Sequence, residues 1–421
     1  MIKVFNSVAD YNTYISNQNL PSGEIAYVKD ETGDKVHFST NNITGEFKTY
    51  DFTQNPYYSE LSKISSLLHT IRYDKIDYDY AYDFFKESAP EVNIGGCSAI
   101  KSGDYFGRNL DWYEADKNYE DAQPDFIVWT PSTDKIKSVL GVASCPHLSE
   151  KIAENHYQSE LFRILPFYLQ DGINEDGVYS CVNVVPRDKG ENTFSIPDVS
   201  QEDEVCALMI VRYVLDKFSD ATTAVEYLRD YVSVYFPSTL TDMDYETHWI
   251  IGDASKCYVL EIEDNKVVIT ENNIMTNFFI DGVTFLEDGT VLTNVDEELP
   301  SSIGITSHGS GLERYNLLVS GDKSDMRELM NTVLYSKAYD LSESPYWYSE
   351  FTGGDITVDT PADDEDLQEI IQKAQEIKEG TREGRLWITT HSCVYDLTDK
   401  SLNIVSFENT SREDNFYLFN S

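Results

Sequence analysis

Apolar positions along this chain follow two periods. Period-two runs predict strands at Tyr105 to Asn109, Phe126 to Thr130, Val178 to Val185, His248 to Gly252, Tyr258 to Ile262 and Lys266 to Thr270. The last three read as a meander joined by Ala254-Ser255-Lys256 and Asp264-Asn265. Leu386 to His391, Ser392 to Asp396 and Leu402 to Glu408 continue the strand pattern, with turns between them. Helical spacing marks Asp203 to Phe218, Asp220 to Tyr231, Ser310 to Leu318, Lys323 to Tyr335 and Asp363 to Glu379. The last opens on Asp363-Asp364-Glu365-Asp366, acids placed where the helix dipole favours them, so the cluster reads as a solvated helix start and not as a metal site. Strands and helices come in groups without strict alternation, which predicts an α+β fold.

The first hundred residues differ. Glu24 to Val28 and Val36 to Thr40, each after a turn, predict a small β-rich module over 1–50. Leu61, Ile64, Leu67, Leu68 and Ile71 have helical spacing, and Tyr78 to Glu87 predicts a second short helix stopped by Ala89-Pro90. Residues 51–96 therefore read as a helical segment leading to Cys97.

Composition narrows the function classes. The 421 residues include 74 acidic and 32 basic side chains, a net charge of −42. So negative a surface repels phosphate backbones and anionic lipid, which disfavours nucleic-acid and membrane partners. With 41% apolar residues, 29 Tyr and 20 Phe, a large core is expected and disorder is not. No apolar run approaches the length of a membrane span, and Met1 to Ser7 lacks the apolar core of a secretory signal. The expected location is cytoplasmic, with export left open.

Six cysteines, at 97, 145, 181, 206, 257 and 393, form no Cys-x-x-Cys pair and no metal-finger spacing with histidine. Cys97 has company. Gly95-Gly96-Cys97-Ser98-Ala99-Ile100 is followed after a turn by Gly107-Arg108-Asn109-Leu110-Asp111-Trp112, so a returning strand can bring Arg108 and Asp111 beside the thiol. A cationic neighbour favours thiolate. On these residues alone, a buried cysteine in a hairpin beside a surface Arg–Asp pair is the favoured reading.

Further segments shift that balance. Gly172-Ile173-Asn174-Glu175-Asp176-Gly177-Val178 with Asn183, Thr247-His248-Trp249, Met275-Thr276-Asn277, Gly311-Leu312-Glu313-Arg314-Tyr315 and Ser392-Cys393-Val394-Tyr395-Asp396 follow Cys97 in order. Together these pieces resemble the choloylglycine hydrolase group of N-terminal-nucleophile hydrolases. That group includes bile salt hydrolases and penicillin V acylases, with acid ceramidase and isopenicillin N acyltransferase as more distant relatives. The resemblance spans 97–421.

It implies a four-layer αββα sandwich with two antiparallel sheets, and hydrolysis of a linear amide C–N bond in a small N-acyl substrate. The acyl class would be a bile-salt conjugate, a penicillin V type or an N-acyl amino acid. No cofactor and no metal is called for, and a homo-oligomer is left open. By the resemblance, Cys97 is the nucleophile and its α-amine the base. Asn183 serves the oxyanion, Asn277 holds the amine or the substrate, Asp111 binds the ammonium, and Arg108 and Arg314 tune the thiolate. Trp112 and Tyr113 would line the substrate, whereas His248 reads as a structural strand histidine. Because 96 residues precede Cys97, the resemblance to prosegment-bearing relatives implies autoproteolysis between Gly96 and Cys97. The stretch from Gly177 to Asn183 is one residue shorter than in bile salt hydrolases, which bears on Asn183. Two rival readings stand: an acyltransferase using the same acyl-thioester, and an inactive relative acting as a binding or surface protein.

Overall fold

A computed structural model describes residues 2–5, 25–28, 35–38, 50–51, 58–63, 68–88, 97–112, 125–144, 162–186, 203–236, 245–263, 266–280, 283–291, 311–335, 368, 372, 388–406 and 417–420. Strands β1 (Ile2–Phe5), β2 (Ile25–Val28), β3 (Lys35–Phe38) and β4 (Tyr50–Asp51) form one sheet in that order, β1 parallel to β2 and the other pairs antiparallel. Next come β5 (Tyr58–Lys63), β6 (Leu68–Tyr73), α1 (Tyr78–Ser88), β7 (Ser98–Ser102), β8 (Tyr105–Trp112), β9 (Asp125–Thr130), β10 (Val139–Ser144), β11 (Asp171–Asn174) and β12 (Tyr179–Pro186). They are followed by β13 (Asp203–Cys206), α2 (Ile210–Lys217), α3 (Ala221–Tyr231), β14 (Val232–Tyr235), β15 (Tyr245–Gly252), β16 (Cys257–Glu263), β17 (Lys266–Glu271) and β18 (Ile274–Met275). The described chain closes with α4 (Gly311–Ser320), α5 (Met326–Tyr335), β19 (Ile388–Asp396), β20 (Ser401–Ser406) and β21 (Tyr417–Asn420).

Two large sheets carry the architecture. One has nine strands in the order β17-β16-β15-β12-β11-β10-β9-β6-β5, and the other has six in the order β18-β7-β8-β19-β20-β21. Helices α2 and α3 cover the outer face of the nine-stranded sheet, and α4 and α5 cover the six-stranded one. Strand alternation builds both cores at once. On β15, Trp249 and Ile251 face the α2–α3 layer, while Ile250 between them faces the second sheet. In the inter-sheet layer Phe106 of β8 stacks on Tyr179 of β12, ring centroids 4.0 Å apart. The result is the four-layer αββα sandwich, which the short β13–β14 parallel pair supplements.

Several expectations are corrected. Residues 58–63 and 68–73 are strands and not helix: β5 and β6 pair with each other, and β6 runs parallel to β9, so the nine-stranded sheet is mixed. Leu68, His69, Thr70, Ile71 and Tyr73 are all buried, and a strand buried on both faces shows no alternation to separate it from a helix. The helix expected from Asp203 starts only at Ile210, because 203–206 pair with β14 as β13. The two strands expected over 386–396 are one, β19, with an irregularity between Thr389 and His391. Of the expected helix 363–379, with its acidic start, only Gln368 and Gln372 lie among the described residues.

Candidate active site

Cys97 stands directly before β7, in the sheet between β18 and β8. It is buried, 3% exposed. Its backbone N–H donates to Asn277 Oδ1 at 2.5 Å. Arg314 of α4 donates through Nη1 to the Cys97 carbonyl at 2.5 Å and to Ser98 Oγ at 2.7 Å, and through Nη2 to the same Asn277 Oδ1 at 2.8 Å. The Asn277 amide is itself fixed by donating to the Val184 carbonyl at 2.6 Å. Side chains from distant parts of the chain thus grip Cys97 at both its nitrogen and its carbonyl.

The pleat of β8 sends its residues to two sides. Asn109 and Asp111 point toward the helices: Asn109 Nδ2 donates to the Met330 carbonyl at 2.9 Å, and Asp111 lies 3.7 Å from Arg314 Nη1. Gly107 lies on this face too, where a Cβ would come within 2.8 Å of Met330 Cγ, so only glycine lets α5 approach this closely. The β19 irregularity sets Thr389 opposite Asp111 and His391 opposite Leu110, and Thr389 Oγ1 donates to Asp111 Oδ1 at 2.6 Å.

Arg108 points the other way, between the sheets. It donates from Nη1 to Asn183 Oδ1 at 2.5 Å and to Cys181 Sγ at 3.0 Å, and from Nη2 to the Val182 carbonyl at 2.6 Å. Its Nε lies 3.0 Å from Asp171 Oδ2. Because arginine only donates, Asn183 must turn its oxygen to Arg108 and its Nδ2 to the Met275 and Thr276 carbonyls, 3.4 and 3.3 Å away. That places the Asn183 N–H₂ beside the segment carrying Asn277.

Behind Arg108 lies a cluster the sequence did not announce. Asp171 receives His391 Nε2 at 2.9 Å, the Tyr395 hydroxyl at 2.5 Å and, more weakly, Cys393 Sγ at 3.8 Å. His391 Nδ1 lies 3.3 Å from Asp125 Oδ2. Asp171, His391 and Cys393 bring potential ligand atoms within 4.8 Å of one another. The Asp171 oxygens already face a guanidinium, an imidazole and a phenol, which suits an ion-pair network better than a divalent cation.

Burial raises the Cys97 thiol pKa and the Asp111 carboxylate adds to that rise, while Arg108, the Asp111 backbone N–H and Arg314 work against it. Burial also opposes the charge on Asp171, but His391, Arg108 and Tyr395 outweigh it and hold the carboxyl below its usual range. Burial opposes the charge on His391 in the same way, and Asp171 with Asp125 overcomes it, raising the imidazole to about 9. Cys181 is pushed up to about 12 by burial.

The expected residues therefore fall into two adjoining groups: Cys97, Asp111, Asn277 and Arg314 in one, Arg108 and Asn183 in the other. His248 is buried between Glu261, 3.1 Å from Nδ1, and the Thr276 carbonyl, 2.7 Å from Nε2, so it braces the backbone beside Asn277. Trp112 ends β8 opposite Ile388, but its side chain, Tyr113 and Gly96 lie outside the described residues. Sequence reasoning missed Asp125, Asp171, His391 and Tyr395. The available signal was the alternation His391, Cys393, Tyr395 on one strand face, with Asp171 directly before Gly172.

Among solved structures, a mutant conjugated bile acid hydrolase from Clostridium perfringens is similar at 15% identity, covering 77% of this chain and 92% of its own, with a TM-score of 0.41. The penicillin V acylase from Agrobacterium tumefaciens is similar at 14% identity over 77% of this chain and 86% of its own, with a TM-score of 0.34. No curated protein matches by sequence. The family profile of linear amide C–N hydrolases, choloylglycine hydrolase family, matches residues 98–317, more than half of the chain. With that match the chain belongs to the choloylglycine hydrolase family and is a linear amide C–N hydrolase.

Proposed function

We propose that this protein is a cysteine N-terminal-nucleophile hydrolase that frees Cys97 by cutting its own chain after Gly96, then hydrolyses a small N-acyl amide. The observation that carries the reading is the grip on the Cys97 nitrogen: Asn277 Oδ1 accepts its N–H at 2.5 Å while Arg314 anchors that same oxygen. A nitrogen held in this way before cleavage is a nitrogen already in position to serve as an α-amine afterwards.

In the activating step the Cys97 thiol attacks the Gly96 carbonyl. The C–N bond breaks, the nitrogen takes the thiol proton, and a thioester joins Gly96 to Sγ. Water then releases the Gly96 carboxylate and the free thiol. In turnover the α-amine, with a reference pKa of about 7.7–8.0, accepts the thiol proton, and the thiolate adds to the substrate carbonyl. Asn183 Nδ2, oriented by Arg108, is the side-chain donor for the developing oxyanion. The amine product takes the proton from the α-ammonium and departs, and water hydrolyses the acyl-thioester. Asp111 and Arg314 keep the ammonium and the Cys97 backbone in register.

Residues 51–96 are then a prosegment and 1–50 an appended β module. The prosegment is better described as a structural chain than as a plug, since β6 sits inside the nine-stranded sheet and α1 buries Ala81 and Phe85 in its outer core. Acyl classes worth testing first are the conjugated bile acids and penicillin V named for the two similar structures. Intact-mass spectra of the wild type and Cys97→Ala test the reading. Two fragments meeting at Gly96–Cys97 in the wild type and one uncut chain in the variant support it, with release of free amine from an acyl amide by the cut form alone. A single mass in both proteins refutes it. Added amines that divert the acyl group from water would identify the acyltransferase reading instead.

A further inference from the structure

We propose that His391, clamped between Asp125 and Asp171, is a positioning residue that sets both the direction and the effective charge of Arg108 at the reacting centre. This rests on the reading of Cys97 as nucleophile.

The geometry begins with donor counting. Both His391 ring nitrogens face carboxylate oxygens, Nδ1 to Asp125 at 3.3 Å and Nε2 to Asp171 at 2.9 Å. A neutral imidazole carries only one N–H, so two acceptor partners call for the doubly protonated cation. All three side chains are fully buried. Asp171 Oδ2 is shared between His391 Nε2 and Arg108 Nε, and its Oδ1 takes the Tyr395 hydroxyl. One carboxylate thus stands between two cations and can neutralise only one of them. Asp125 compensates His391 from behind, so Asp171 is left to orient Arg108.

The surroundings give the count that matters. Facing this cluster are Arg108 on β8, Asp125 on β9, Asp171 on β11, Cys181 on β12, and His391, Cys393 and Tyr395 on β19. On the far side of β8 lies the Asp111–Arg314 pair. Three cations and three carboxylates balance. If His391 loses its charge, Asp125 and Asp171 face Arg108 alone, and the field at Cys97 becomes more negative by one charge. A more negative field opposes the thiolate, and a guanidinium drawn back to two carboxylates loses its hold on Asn183.

The test is the pH dependence of Cys97 alkylation by iodoacetamide in the cut protein, followed by peptide mass. It is joined by kcat and KM on whichever acyl amide the wild type hydrolyses. His391→Gln should move the alkylation midpoint up by on the order of half to one pH unit, for a charge acting through the protein interior. Its kcat should fall with little change in KM. The double variant His391→Gln/Asp125→Asn removes one charge of each sign and should return the midpoint to the wild-type value. A purely structural role predicts no midpoint shift, or the same shift in both variants, and either result overturns the proposal. If the single variant does not fold, Asp125→Asn decides: it leaves the cluster one positive charge in excess, so a midpoint lowered by a similar amount supports the proposal, and an unchanged or raised midpoint or failure to fold overturns it. A wild type that is never cut refutes the Cys97 reading, and the proposal with it, before any variant is made.

Discussion

Arg314 is the side chain whose loss should be felt most widely. Its guanidinium, 2% exposed, reaches the Cys97 carbonyl, Ser98 Oγ and Asn277 Oδ1, and stands 3.7 Å from the Asp111 carboxylate. Arg314→Leu keeps much of the volume and removes every one of these contacts. It strands a buried carboxylate, and removing one partner of a buried pair costs about 3–5 kcal/mol. The three lost hydrogen bonds lie within that figure and do not add to it, since double counting would exceed the stability of many domains. Arg314→Lys restores the charge near Asp111 but not the planar fork that spans Cys97 and Asn277. The expected result of urea unfolding is a loss of about 3–5 kcal/mol in the leucine variant, with at least half recovered in the lysine variant. Autoprocessing, followed by intact mass, should stay slow in both, because neither holds the Cys97 backbone through two acceptors at once. A leucine variant that unfolds like the wild type and cuts at the wild-type rate would refute the assignment of Arg314 as the clamp on Cys97.

Three further outcomes are expected. His391 is raised to about 9 from an ordinary value of 6.5, so its contribution to stability is full below about pH 6.5 and is lost as pH rises toward about 9. The unfolding free energy from urea titrations should fall across that window by at most about 3 kcal/mol, and His391→Gln should flatten the slope. Ile71→Ala, at a fully buried site in β6, should cost about 2–5 kcal/mol in thermal or urea unfolding; a loss near zero would mean that the hairpin before Cys97 is not part of the core. If the chain is cut after Gly96 as proposed, the two pieces should co-elute in size exclusion and separate only in denaturant, given the Tyr73 hydroxyl bonded to the Phe162 carbonyl at 2.5 Å and the Arg163–Asp77 pair at 2.5 Å.

The period is most legible in the sequence where one face of an element meets water and the other meets the core. Helices α3, α4 and α5 show it because their two sides differ. Where both sides are buried the period disappears. Leu68 and Ile71 stand three apart, as on a helix stripe, yet they pack on opposite faces of β6, Leu68 in the inter-sheet core and Ile71 in the outer one. Asp203 to Cys206 is hidden for another reason: four residues are too few to show a period, and the buried Val205-Cys206 runs on through a turn into the helix at Ile210. Neither segment carries a Gly or Pro punctuation mark to separate strand from helix.

The site divides along a similar line. The expected residues could be named because they lie in short segments that resemble the family's: Arg108 and Asp111 on one strand, Asn277 after a turn, Arg314 at a helix start. The group behind Arg108 could not, because Asp125, Asp171 and His391 come from three strands and meet only when two sheets face each other. What unites them is charge balance, a property of the assembled layer that no spacing encodes. That difference bears on how variation at the two groups should behave. On the proposed reading, a substitution near Cys97 removes a contact to the reacting residue, and no second substitution in the chain can return it. A substitution in the buried ion network unbalances a sum, and a second of opposite sign can restore it. Compensation, and not the severity of any single change, is therefore the property that separates residues that touch the chemistry from those that aim it.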